Sequence, residues 1–153
     1  MNKAEIQSIQ KTADQHVLRI NQALDNIKSL FPLDVTRVAN LNTNDIFSIE
    51  MLTSRYSKLQ DYLGTVVFDA LFEIEGENTV TWTPIDKLNK LEKYGLIDDA
   101  HVWRDMRKAR NFLTHEYPDQ PEIVATSLNV IYNFVPILLA VNAKIFQRIN
   151  KDN

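Results

Sequence analysis

The sequence predicts an all-α protein, a single domain over residues 1–153 built as an antiparallel up-and-down bundle of four long helices plus one short helix. Three observations predict this class. Apolar residues recur at spacings of three and four through most of the chain. The chain has only three glycines, and no run of alternating apolar and polar residues indicates a strand. Helix-capping residues and prolines separate the periodic segments.

The first two long helices are marked by apolar stripes. In the first, the stripe consists of Ile6, Ile9, Ala13, Val17, Ile20, Leu24, Ile27 and Phe31, and Pro32 ends it. The segment "PLDVTRVANLNTN" that follows is predicted to be irregular, with Thr43 or Asn44 as the N-cap of the next helix. The second stripe consists of Leu52, Tyr56, Leu59, Leu63, Val66, Ala70 and Ile74, and it ends before Gly76 and Asn78.

The remaining helices are marked by their ends. Thr83 as N-cap, Pro84 at the first helical position and Gly95 past the end predict a short third helix. Asp98 or Asp99 caps a fourth helix through "AHVWRDMRKARNFLTHE", which stops before Pro118. Pro121 opens a fifth helix, for which Pro136 predicts a kink. Its stripe consists of Ile123, Ile131, Phe134, Leu138, Val141, Ile145 and Ile149.

Composition excludes several kinds of chemistry. With no cysteine, the chain has no disulfides, no thiolate nucleophile and no cysteine-type zinc site. It contains no glycine-rich phosphate loop of the common patterns. The formal charge of -3 argues against a generalised nucleic-acid coat but permits a local basic patch. Since no signal core precedes the first helix and the longest apolar run is short, we expect a soluble, cytoplasmic protein that does not enter a membrane.

The fourth helix has a marked charge asymmetry. Projected at about 100° per residue, its predicted core face carries Val102, Met106, Ala109 and Leu113. The opposite face carries Arg104, Arg107, Lys108, Asn111 and His115. From Trp103 to His115 there are four Lys/Arg against one Asp. A solvated face whose cations complement the helix dipole explains such a run, and a surface that binds RNA phosphates is the alternative.

The end of this helix, "RNFLTHEY", carries a set of residues suited to RNA cleavage without metal or cofactor. The helix C-terminus raises a histidine pKa and nearby arginines lower it, so His115 is expected to titrate near neutrality and transfer protons. Arg110 can clamp a phosphate through two hydrogen bonds, and Asn111 adds a neutral polar group. On a regular helix Arg110 and His115 point about 140° apart. A distorted helix end or a twofold dimer is needed to bring both to one phosphate.

The string from Arg110 to Tyr117 resembles the R-x4-H-x-Y signature of HEPN-domain proteins, in particular the HepT ribonuclease toxins of HEPN/MNT toxin–antitoxin pairs. The segments "EKYGLIDDAHVWRDMRKARNFLTHEY" and "SRYSKLQDYLGTVVFDALFE" are also similar to the family's motif helix and second long helix. The resemblance covers most of the chain in helix order, and the sharp match is confined to residues 92–117.

The resemblance implies a dimeric HEPN-like fold with a ribonuclease site between protomers. Arg110 and His115 would be catalytic with Asn111 beside them, and Tyr117 would receive AMP from the cognate MNT nucleotidyltransferase. Such a modification would place bulk and negative charge where RNA phosphates bind. The alternatives are a non-catalytic HEPN subunit that presents substrate to a nucleotidyltransferase, and a purely structural helical dimer.

Other polar residues point to no second site. His16 is predicted to be packed or half-exposed, and His101 lies 14 residues before His115, which is not a metal-ligand spacing. We therefore expect no metal. Asp61 is predicted to be a solvated carboxylate, with a position facing the cleft as the alternative. Trp82 and Trp103 are predicted to pack in the core, with Trp103 or Tyr62 at a dimer seam as an alternative.

Overall fold

The computed structural model describes residues 1–112 and 119–151, and within these ranges it is all-helical with no strand. The all-α class is therefore confirmed. The elements are α1 (Lys3–Ile27), α2 (Val35–Ala39), α3 (Thr43–Tyr62), α4 (Phe68–Ile74), α5 (Pro84–Lys93), α6 (Ala100–Phe112) and α7 (Pro121–Lys151), with a short 3₁₀ turn at Lys28–Leu30 and a π-helical turn at Leu63–Val67.

Helix α1 follows the predicted stripe. Asn2 caps its N-terminus: the side chain accepts a hydrogen bond from the Glu5 amide at 2.9 Å, and the Glu5 carboxylate accepts one from the Asn2 amide at 2.8 Å. The residues of the stripe that lie fully in the core are Ile6, Ala13, Ile20 and Ile27, and the remainder are partly buried against it. Helical periodicity alone therefore predicted this face.

The segment after α1 differs from the prediction. It was expected to be irregular, but Asp34 caps α2 by accepting a hydrogen bond from the Arg37 amide at 2.8 Å. The cap of α3 is Asn42 rather than Thr43 or Asn44, because its side chain forms a reciprocal capping box with Asp45. Both caps use the short acidic or amide side chains that N-caps favour, and Asn42 lies one or two residues before the predicted positions.

The π-helical turn at Leu63–Val67 changes which residues of the second stripe are buried. Up to Leu63 the predicted stripe is buried. Beyond it, Val67 is fully buried, whereas the predicted Val66 is only partly buried. A π turn holds one extra residue per turn, so it rotates the following helix. Phe68 and Leu71 therefore join the core beside the predicted Ala70.

The boundaries of α5 and the start of α6 match the prediction. Thr83 caps α5 with Pro84 at the first helical position, and Gly95 has a φ of 70°, a conformation that glycine adopts without strain. Asp99 accepts a hydrogen bond from the His101 amide at 2.7 Å at the start of α6. These ends were predictable because each depends on one local side chain or on a backbone preference.

Helix α7 runs unbroken through Pro136. By length and composition it is the one helix in the described ranges that meets the criteria for crossing a membrane, with a mean hydropathy of 1.8 and 28% of its most apolar window buried. Its inner face is part of the core. The core residues of α7 are Ala125, Leu128, Ile131, Val135, Leu138, Val141, Asn142, Ile145, Phe146 and Ile149.

Helix α3 is the central element, since it packs against α1, α6 and α7. Helix α6 also packs against α5 and α7. The end of α7 is tied to the turn after α4 because the Arg148 guanidinium donates two hydrogen bonds to Glu75, one of them from Nη2 to Oε2 at 3.0 Å. The Arg148 guanidinium also stacks over the Tyr94 ring at 4.0 Å. The contact between α3 and α6 places the end of α6 beside the second half of α3.

Candidate functional site

Arg110 lies at the boundary between the core and the surface. The buried residues of α6 are Ala100, Trp103 and Met106, at 6%, 3% and 1% exposure. Continuing their spacing of three to four residues leads to Arg110, whose side chain is 20% exposed. The core face of α6 is therefore rotated from the predicted one. Of the residues predicted for that face, Val102 and Ala109 are only partly buried and Leu113 lies outside the described residues.

The Arg110 guanidinium is held by two oxygen acceptors. Its Nη1 donates to Asp61 Oδ1 on α3 at 3.2 Å, and its Nε and Nη2 each donate to Asn111 Oδ1 at 3.3 Å. A partly buried cation without partners would be costly, so these contacts compensate for its loss of water. Arg110 and Asn111, two of the predicted catalytic residues, are thus in direct contact.

The sequence predicted Asp61 to be a solvated carboxylate, with a position facing the cleft as the alternative. Its side chain is 60% exposed, as expected for a solvated carboxylate, but it also faces the candidate site and pairs with Arg110. The two residues are 49 positions apart. No local pattern marks such a pair, because it depends on how α3 and α6 pack. The exposed carboxylate makes the ion pair a weak one.

Tyr56 supports the end of α6 from the core. Its side chain is fully buried, and its hydroxyl donates to the Met106 carbonyl at 3.0 Å. Burial raises the pKa of this phenol, and the positive charge of Arg110 partly opposes the rise. The phenol therefore stays neutral at physiological pH. It fixes the backbone one turn before Arg110 and acts as a structural support.

The other two residues of the predicted motif, His115 and Tyr117, lie outside the described residues. The proposed convergence of Arg110 and His115 on one phosphate, the distortion of the helix end and the modified tyrosine therefore stay predictions. Of the string, the structure describes only the first three residues, from Arg110 to Phe112, which form the last turn of α6.

The three cations predicted to bind RNA do not share one surface. Arg104 and Arg107 are exposed on the side of α6 that faces α5 and the π turn, where they line a groove of about 680 Å³. Lys108 lies instead against the outer side of α7, in a groove with Ala109 and Phe134. A helix places residues one turn apart on one side and the next residue about 100° away. The groove with two arginines therefore carries more positive charge than the groove that contains Lys108.

The other histidines match their structural interpretation. His16 is partly buried between α1 and α3, and its Nδ1 lies 3.2 Å from Arg55 Nη1. Its ring packs edge-on against Tyr62 with centroids 6.2 Å apart. Burial, and then the charges of Arg55 and Lys58, lower its pKa. His101 is exposed at the start of α6.

Within residues 1–112 and 119–151, no group of three or more His, Asp and Glu side chains is placed to hold a metal ion. No known protein family, curated protein or solved structure matches the chain. The interpretation of the site therefore depends on its residues and their geometry.

Proposed function

We propose that this chain is a metal-independent RNA endonuclease, a HEPN-like toxin that cleaves RNA through Arg110 and His115. The observation that supports this most is the placement of Arg110. It opens the "RNFLTHEY" string, its guanidinium is held ready at the end of α6 by Asp61 and Asn111, and a cation-lined groove lies one turn away.

In the proposed reaction the ribose 2'-oxygen attacks the adjacent phosphorus, and the bond from phosphorus to the 5'-oxygen breaks. His115 takes the proton of the 2'-hydroxyl or delivers one to the leaving 5'-oxygen, and water or the second copy's His115 makes the other proton transfer. The products are a 2',3'-cyclic phosphate and a 5'-hydroxyl. Arg110 stabilises the charge that develops on the phosphorane-like transition state. Because the Asp61–Arg110 pair is exposed and weak, a substrate phosphate that accepts two hydrogen bonds can displace the carboxylate.

The fold that supports this site is proposed to be the HEPN-like antiparallel, up-and-down bundle of four long helices plus one short helix. Packing of α3 against α1, α6 and α7 is compatible with that arrangement. Helix α7 is proposed to be a core helix of a cytoplasmic protein rather than a membrane span, because its inner face packs against α6, α3 and α2.

A homodimer is part of the proposal. On the outer side of α7, Val130 and Ile137 are 39% and 40% exposed, and Phe134 between them is partly buried. Their spacing of four and three residues makes one apolar stripe beside α6. A twofold contact along this stripe would bring two copies of the α6 end together, and it would supply the second set of Arg110 and His115.

The proposed antitoxin partner is an MNT-type nucleotidyltransferase that transfers AMP to Tyr117. The alternative function is a non-catalytic HEPN subunit of a two-component nucleotidyltransferase. This alternative would be supported if Arg110 stayed paired with Asp61 when RNA binds, since a guanidinium that keeps its acceptor cannot stabilise the charge of the transition state. An intact-mass gain equal to AMP units, lost in Tyr117→Phe, would support the antitoxin partner.

The deciding experiment compares cleavage of total RNA in the presence of EDTA by purified wild type and by His115→Ala. We expect the wild type to cut and the variant to be slower by about 100-fold or more, the size of a general acid–base contribution. His101→Ala is the matched control, because it removes an exposed imidazole from the other end of α6. If the wild type leaves RNA intact and both proteins are harmless when expressed, the nuclease proposal fails.

A further inference from the structure

The groove between the π turn, α5 and α6 has an aromatic wall. Trp103 forms its floor at 3% exposure and packs on Phe68 with ring centroids 4.9 Å apart. Trp82 is partly exposed at one side and is supported by Phe72, edge-on at 5.2 Å. Ile85 of α5 completes the apolar surface. Both tryptophans of the chain therefore line one groove, and packing behind them holds their rings in place.

The rim of the groove is cationic. Lys87 is paired with Asp69 at 2.6 Å, so its charge is compensated. Arg104 and Arg107 also line the groove, and neither forms an ion pair within the part of the chain that the structure describes. This local excess of positive charge occurs in a chain with a formal charge of -3. Its charge is complementary to a ligand that carries phosphate.

The groove leads toward Arg110. Arg107 lies one turn before Arg110 and Asn111 on α6. On the opposite side Thr65, which lines the groove, donates a hydrogen bond to the Asp61 carbonyl at 2.8 Å. Arg107 and Thr65 lie at this end of the groove. Arg107 is one turn from Arg110, and Thr65 is one turn from Asp61, which is the partner of Arg110. A strand that occupied the groove would continue onto the candidate catalytic arginine.

We propose that this groove binds one unpaired nucleotide of an RNA strand next to the phosphate that Arg110 contacts. The base lies against Trp82, above the floor formed by Trp103 and Phe68, and Arg104 and Arg107 bind the flanking phosphates. The volume of about 680 Å³ is in the range of small-ligand pockets. Stacking on an aromatic ring accepts any base. A base inside a duplex cannot reach this wall, so the site selects single strands.

This inference rests on the proposed function for the position of the cut, but its binding test is independent of cleavage. The probe is a fluorescein-labelled ten-nucleotide RNA with 2'-O-methyl groups, which cannot be cut by attack of the 2'-oxygen. We expect the single strand to bind at least ten times more tightly than the same strand annealed to its complement. Arg104→Ala/Arg107→Ala should reduce the slope of log affinity against log salt by about 1.4, about 0.7 for each lost phosphate contact.

The matched control is Lys11→Ala/Lys93→Ala, which removes the same charge from two exposed positions away from the groove. It should leave the affinity and the salt slope close to those of the wild type. Intrinsic tryptophan emission gives a second readout, because both tryptophans line the groove. Trp82→Leu should weaken binding about tenfold and reduce the quenching by bound RNA, while Trp82→Phe keeps a ring and restores most of the affinity.

The groove proposal is overturned if the double arginine variant binds the single strand as the wild type does, or if the duplex binds equally well. It is also overturned if that variant retains RNA binding but loses capture of the nucleotidyltransferase, since the groove would then dock a protein. If the double arginine variant cleaves RNA at the wild-type rate with an unchanged KM, the groove proposal is wrong and the nuclease proposal is unaffected. If RNA binds with the expected salt slopes but the wild type does not cleave it, the nuclease proposal is wrong and the groove proposal is unaffected.

Discussion

In the proposed reaction Arg110 must be held in a fixed position and must also be accessible to a substrate phosphate. Its position at the edge of the core allows Tyr56 and Met106 to fix the backbone beneath it. Its partial exposure leaves the guanidinium open to an incoming phosphate. The position of Arg110 at this edge was not predicted, because projection of the sequence placed Val102, Ala109 and Leu113 on the core face of α6 instead. The identity of its resting partner, Asp61, did not follow from the sequence, because nothing in the chain order relates two positions 49 residues apart.

His16 gives the residue-scale prediction. Burial and the cations Arg55 and Lys58 lower its pKa from the ordinary value of 6.5, so the folded chain binds this proton less tightly than the unfolded chain. The free energy of unfolding should therefore fall as the pH drops below about 6.5, and it should level off below the folded-state pKa. Urea unfolding of the wild type and of His16→Gln at pH 7.5, 6.5 and 5.5 measures this.

Glutamine at position 16 stays neutral, so the variant should lose this part of the pH dependence while keeping an acceptor for Arg55. His101→Gln, which changes an exposed histidine, is the control and should retain the wild-type profile. Equal slopes in the wild type and in His16→Gln would contradict the assignment.

At the scale of the element, α3, the π turn and α4 show how one irregular turn changes a helix. Five residues, Leu63–Val67, shift the helical phase and place Val67 and Phe68 in the core. The same turn brings Gly64 and Thr65 to the groove opposite Arg107. A projection of the sequence at a constant angle of about 100° per residue does not include this shift, because it assumes a regular α-helix throughout. The helix ends, in contrast, were largely predictable from their caps.

The cap of α5 gives the element-scale prediction. Thr83 Oγ1 accepts a hydrogen bond from the Asp86 amide at 3.3 Å, and the Asp86 carboxylate accepts one from the Thr83 amide at 2.8 Å. The Thr83 amide and the Thr83 hydroxyl, which donates to the Asp86 carboxylate at 2.7 Å, lower the pKa of the Asp86 carboxyl. Thr83→Ala should reduce the free energy of unfolding by about 1 kcal/mol. Thr81→Ala, two residues earlier and exposed, makes the same chemical change without a cap.

Urea unfolding with far-ultraviolet circular dichroism measures both variants. The cap assignment predicts a clear difference between them, with Thr81→Ala close to the wild type. If the two variants lose the same stability, the capping box contributes nothing beyond the removal of a threonine.

At the scale of the whole molecule, the outer side of α7 remains apolar in the single chain. The stripe that includes Val130 and Ile137 runs beside α6. Burial of such surface favours association. Val130 and Ile137 are 39% and 40% exposed, so covering each contributes a fraction of the roughly 1.5–3 kcal/mol for burying a fully exposed apolar side chain. The proposed site needs a second copy, and we propose this stripe as the contact because it runs beside α6.

Substitution of Ile137 by lysine tests that assembly. We expect wild type to be dimeric by light scattering after gel filtration, and Ile137→Lys to be monomeric with an unchanged helical circular dichroism spectrum, because a charge in the interface would be desolvated. Val80→Lys is the control, since it adds the same charge at a position that is 90% exposed. If the wild type is monomeric, no second copy supplies a second set of site residues. If Ile137→Lys remains dimeric, the interface lies elsewhere.

The sequence by itself determined the helical class, most helix ends and most of the buried stripe of α1, because these depend on side chains three or four residues apart and on single capping residues. Only the tertiary structure decided that α6 turns Arg110 toward α3. It also decided that Asp61 faces Arg110 and that Arg104 and Arg107, but not Lys108, share a groove with both tryptophans. These relations join residues distant in the chain, and they are set by the packing of α3, α5 and α6.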